Sequence, residues 1–112
     1  MLLKILSIFL VFLIFAIPDV LAQVYIENDQ YYIGDDGTTH IVGEVRNDSD
    51  KPLNQVTIFA TLYSNDRIIH QTESQTLTNL IMPDMNGVFD IIILESIVDV
   101  DRYILDIDYK IT

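Results

Sequence analysis

Apolar and polar positions alternate along most of the chain beyond residue 22. In "TTHIVGEVR" Ile41, Gly43 and Val45 fall on one side, with His40, Val42, Glu44 and Arg46 on the other. In "VTIFATLY" Val56, Ile58, Ala60 and Leu62 share a face opposite Thr57, Phe59, Thr61 and Tyr63. A period of two among β-branched and aromatic residues is the signature of a strand, because successive side chains point to opposite faces. "RIIHQTESQTL" reads as a third, more polar strand, entered from the first pair through a Ser64-Asn65-Asp66 turn of hairpin type. "GVFDIIIL" is a fourth, after the Pro83-to-Gly87 loop. "RYILDIDYKIT" is a fifth, with Tyr103, Leu105, Ile107, Tyr109 and Ile111 expected inward and Ile104, Asp106, Asp108 and Lys110 outward. Ahead of them "QVYIENDQYYIGDDGT" predicts one or two short strands ending in an Asp35-Asp36-Gly37 turn.

Beyond residue 22 nothing keeps a period of 3.6. Roughly five to seven short strands spaced about 8–12 residues apart predict an all-β, immunoglobulin-like antiparallel β-sandwich. The cysteine and tryptophan core of antibody domains is missing, since the chain has no cysteine and no tryptophan. The same lack of cysteine removes disulfides, thiolate nucleophiles, zinc–thiolate sites and lipid attachment after the leader.

The first 22 residues have a different pattern. Lys4 precedes an apolar run from Ile5 to Ile17 broken only by Ser7, and Pro18, Asp19 and then Val20-Leu21-Ala22 follow. A cation, an apolar stretch and small residues at the exit predict a helical signal peptide cleaved after Ala22. The competing expectation is a retained membrane anchor, for which Pro18 and Asp19 interrupt the run short of the roughly 20 apolar residues that span a bilayer. The expected organisation is a leader (1–22), an N-terminal strand segment (23–36) and a sandwich (37–112), secreted or extracytoplasmic.

Across its 112 residues the chain carries 17 acidic and 6 basic side chains, a formal net charge of −11. The leader holds one charge of each sign, so its removal leaves that balance unchanged. A surface this acidic repels nucleic-acid phosphates and anionic membrane surfaces and attracts cations or a basic partner. Membrane contact is expected only if the leader is retained.

Gly43-Glu44-Val45, Asn47, the Lys51-Pro52-Leu53 loop, Val56 and Ala60-Thr61-Leu62-Tyr63 resemble the FxLYD domain, a small β-sandwich of secreted and membrane-tethered prokaryotic proteins. That family runs G-x-V-x-N, a loop, V-x-V-x-A-x-L-Y-D, a D/N-G hairpin, an L-x-P-G turn and an F-x-V strand. Leu80-Ile81-Met82-Pro83 resembles the proline turn and Phe89-Asp90-Ile91 the strand after it, so the likeness covers about Gly37 to Leu94. Three positions depart: Ser64 replaces the Asp, Asp66 the hairpin glycine and Asp84 the glycine after proline. The resemblance implies a sandwich and an accessory or interaction module of the cell envelope, with no catalytic activity to carry over.

Candidate chemistry is sparse. His40 and His70 are expected as rim histidines, because a metal site needs several converging ligands. Asp35-Asp36 and Asp106 with Asp108 read as solvated surface. Asp48 with Asp50 and Asp99 with Asp101 are candidates for weak Ca²⁺ or Mg²⁺ binding, as loop carboxylates at i, i+2, although no segment fits an EF-hand loop. Asn47-Asp48-Ser49 is an N-x-S sequon, so Asn47 is either a glycan acceptor or a turn cap. Without a nucleophile elbow or a glycine-rich oxyanion loop, no enzymatic activity is expected. Phe59 and Tyr63, on the outward side of their strand, are candidate contacts for a protein partner of unknown identity.

Overall fold

The computed structural model describes residues 23–112, so the leader lies outside the described residues. Seven strands follow in order: β1 (Val24–Ile33), β2 (Thr39–Asn47), β3 (Leu53–Ser64), β4 (Arg67–Gln75), β5 (Leu80–Ile81), β6 (Met85–Ile93) and β7 (Arg102–Ile111). They make two antiparallel sheets packed as a sandwich: a three-stranded sheet in the order β1-β2-β6, and a four-stranded sheet built around β3. In the second sheet β4 and the two-residue β5 pair with β3, and β7 pairs with it as well.

Alternation decides which residues fill the space between the sheets. Ile41, Val45, Phe89, Ile91 and Ile93 come from the three-stranded sheet and meet Leu53, Val56, Ile58, Ala60, Leu62 and Ile81, all at 0–1% exposure. Each large side chain among them contributes about 1.5–3 kcal/mol relative to leaving it in water. Gly43 completes the layer by leaving room: a Cβ there would lie 2.7 Å from Phe89 Cζ and 3.2 Å from Asp29 Cα. The chain of β1 passes this close because it bulges at Asn28–Asp29, two residues opposite one, with Asn28 at φ 57°.

The turns carry their own chemistry. Asp36 accepts from the Thr38 N–H at 3.1 Å and from its hydroxyl at 2.7 Å, closing the β1–β2 turn with Gly37 at φ 85°. Asn65 and Asp66 both sit at positive φ, 50° and 63°, as a two-residue hairpin requires, so Asp66 fills the conformation that suits glycine. The Met85 N–H donates to the Met82 carbonyl at 3.1 Å, with Pro83 second and Asp84 third at φ 65°. That is a type II turn with Asp in the glycine position.

The N-terminal segment 23–36 holds one bulged strand, β1, which pairs with β2 from Val24 to Ile33. Three expectations change. The third strand ends at Gln75, where Thr76 turns inward and its N–H donates to the Val56 carbonyl at 3.2 Å. Ile81, expected in a loop turn, is a buried strand residue opposite Leu53. Tyr109 and Ile111 do not face the core and are 37% and 60% exposed. The reason lies at the other end of β7, where Tyr103 stacks on Tyr31 with ring centroids 6.1 Å apart and donates its hydroxyl to Asp29 at 2.6 Å. The strand is anchored to the opposite sheet there and runs out from under it beyond Ile107.

Candidate functional site

The outer face of the four-stranded sheet is built from the side of β3 that points away from the core. Register sets it out in rows across β4, β3 and β7: Gln75–Thr57–Asp108, Glu73–Phe59–Asp106, Gln71–Thr61–Ile104 and Ile68–Tyr63–Arg102. Residues directly opposite project to the same side, about 4.5–5.5 Å apart at Cβ. Phe59, Ile104 and Ile68 are 38%, 43% and 56% exposed on this face. Phe59 and Thr61 of β3 and Gln71 and Glu73 of β4 line a shallow depression of about 370 Å³.

The two aromatic residues differ in their surroundings. The Arg102 guanidinium lies 4.0 Å from the centroid of the Tyr63 ring, and it pairs with Asp66 at 3.8 Å. Tyr63 is thus half-covered by the chain's own cation. Phe59 has a carboxylate on each side instead, Glu73 and Asp106, and neither enters an ion pair among the described residues.

The acidic loops do not combine. Asp48 and Asp50 follow β2, beside the start of β3, whereas Asp101 lies at the opposite end of β3, its N–H donating to the Tyr63 carbonyl. Asp48 accepts from Arg46 Nε at 2.5 Å and from the Tyr25 hydroxyl at 3.1 Å. The Arg46 bond, above all, holds its carboxyl below the ordinary carboxylate range. Asp101 accepts from the Asn65 N–H, and Asp99 is exposed at φ 61°. Among the described residues no three His, Asp or Glu side chains converge as a metal site would need.

Asn47 is buried in this fold and acts as a turn cap. It has 0% exposure, and its Nδ2 donates to the carbonyls of Lys51 at 2.9 Å and Ile81 at 3.0 Å. Its Oδ1 accepts from Ser49 N–H at 3.0 Å and Ser49 Oγ at 2.6 Å. A sugar on Nδ2 would displace the donor to the Lys51 and Ile81 carbonyls from a residue with no exposed surface, and the geometry is that of a turn cap.

The histidines sit in different sheets. His40 on β2 has both ring nitrogens engaged, Nδ1 with Asp90 Oδ1 at 3.0 Å and Nε2 with Thr38 Oγ1 at 2.9 Å, and it stacks on Tyr32 at 4.7 Å. His70 on β4 approaches only Glu95, at 3.8 Å. Sequence reasoning missed both the His40 network and a second depression of about 350 Å³ beside Tyr31 and Tyr103. Desolvation, then the Asp29 hydrogen bond, pushes the Tyr103 phenol up to about 12. Both features depend on residues far apart in the chain and leave no local pattern.

No protein-family model, curated protein or solved structure matches the chain.

Proposed function

We propose that this is an exported, non-enzymatic β-sandwich module of FxLYD type that works by protein–protein contact through the outer face of its four-stranded sheet. The observation that carries the reading is Phe59, more than a third exposed at the middle of the central strand, with Ile104 exposed one row along. An exposed aromatic on a rigid sheet is what a contact surface uses, and such residues dominate binding energy. The FxLYD likeness is supported by Asp66 and Asp84, both left-handed where that family has glycine. Export is supported by the leader pattern, Lys4 followed by Ile5 to Ile17 and Ala22.

A photo-crosslinking residue in place of Phe59 tests the contact in the native host. A discrete adduct at that position, absent when the crosslinker replaces Val88 on the opposite sheet, is the expected result. Equal labelling at both positions, or at neither, sinks the reading. N-terminal sequencing of the exported protein is expected to begin at Gln23.

A further inference from the structure

We infer that the Glu73–Phe59–Asp106 row receives an arginine side chain from an extended segment of the partner polypeptide. The inference rests on the contact reading above and adds the chemistry of what is bound. Phe59 stands directly opposite Glu73 on one side and Asp106 on the other. With neighbouring strands about 4.8 Å apart, the two carboxylate-bearing residues are separated by about 9–10 Å across the ring. Two carboxylates with a ring between them are too few oxygens for a divalent cation, which takes roughly six or more. The arrangement suits a planar cation laid on the ring face, where a guanidinium stacks on Phe59 and hydrogen-bonds a carboxylate at its edge.

The same sheet already contains this arrangement with an internal cation. Two rows along β3, Arg102 covers the Tyr63 ring at 4.0 Å and pairs with Asp66 at 3.8 Å. The Phe59 row has the ring and the carboxylates but no cation of its own among the described residues. Charge also selects the occupant. A second copy would set Glu73, Asp106 and Asp108 against their equivalents on a chain of net charge −11, and nucleic acid would bring phosphates to the same carboxylates. The depression of about 370 Å³ between Phe59, Thr61, Gln71 and Glu73 gives the arginine stem a place to lie.

The test uses the ¹⁵N-labelled exported protein and a synthetic hexapeptide alternating arginine with threonine. The control peptide carries citrulline, which keeps the shape of arginine without its charge. Expected are saturable amide shifts centred on Phe59, Thr61, Gln71 and Glu73. Binding is expected to weaken at least about tenfold with the citrulline peptide and with the double variant E73Q/D106N, as loss of close charge partners implies. Phe59→Leu, which keeps the carboxylates and removes the ring face, is also expected to weaken it. Shifts scattered over all acidic surfaces, or an unaltered affinity in E73Q/D106N, overturn the inference. A crosslinked adduct at position 59 that persists in E73Q/D106N would leave the contact face standing and remove arginine as its ligand. Absence of both adduct and peptide binding would remove both.

Discussion

Asn47 shows how much one side chain can hold. Its amide, at zero exposure, satisfies two carbonyls and takes two donors from Ser49. Asn47→Ala leaves the buried Ile81 carbonyl without its donor and removes the cap from Lys51 and Ser49, so it is expected to cost about 3 kcal/mol in urea unfolding. A cost under about 1 kcal/mol would mean that water replaces the cap. Gln55 is the opposite case. It is exposed at φ 50°, where a straight-chain residue is strained by about 1–2 kcal/mol. Glycine adopts that conformation freely but is more flexible in the unfolded chain, so Gln55→Gly is expected to stabilise by about 0.5–1 kcal/mol, read as a rise in the denaturation midpoint. The buried face of β2 and β3 was legible because alternation is a local signal. Asn47 was legible as a turn residue but ambiguous as a sequon until its burial was known. Asn28 and Gln55 were not legible, since left-handed residues other than glycine leave no mark in composition.

At the scale of elements, strands were read well where one side is buried and poorly where cover runs out. Tyr109 and Ile111 continue the apolar alternation of β7 past the part of the sandwich that shields it, so periodicity alone overstates the core there. The two-residue β5 is too short for any period. The loops at the two ends of β3 hold the candidate carboxylate pairs apart, and Asp48 already has Arg46 as its counter-ion. Millimolar Ca²⁺ is therefore expected to move the melting temperature no more than NaCl of equal ionic strength. A saturable rise that survives added NaCl, and that Asp101→Asn abolishes, would instead establish a calcium site at the Asp99–Asp101 loop. Stabilisation by such a site would grow by about 2.7 kcal/mol at a hundredfold excess over Kd.

For the whole molecule, charge is the controlling variable. A net charge of −11 within one small sandwich is self-repulsive, and the repulsion is screened when the Debye length falls from about 30 Å to about 8 Å between 0.01 M and 0.15 M salt. The melting temperature at pH 7 is expected to rise by a few degrees over that interval, and a flat or falling curve in differential scanning calorimetry would contradict it. Acid acts in the other direction. Asp48 and Asp36 have folded carboxyl values below the ordinary 3.8, through Arg46 and Thr38 respectively. Their contribution is complete above that unfolded value and is lost as pH falls through the folded one.

The long ladder between β3 and β7 also sets a timetable. Leu53 pairs with Ile111 and Tyr63 with Arg102, residues drawn from opposite ends of the second half of the chain. The β1–β2 and β3–β4 hairpins close short loops and need only their own neighbourhoods. The four-stranded sheet must wait for a distant segment, and the entropy of that closure is lost before its contacts form. Refolding is therefore expected to take milliseconds to seconds, as in other all-β domains, with β7, like β6 on β2, docking after the hairpins. Until it docks, one flank of β3 is an open template for pairing with any other chain.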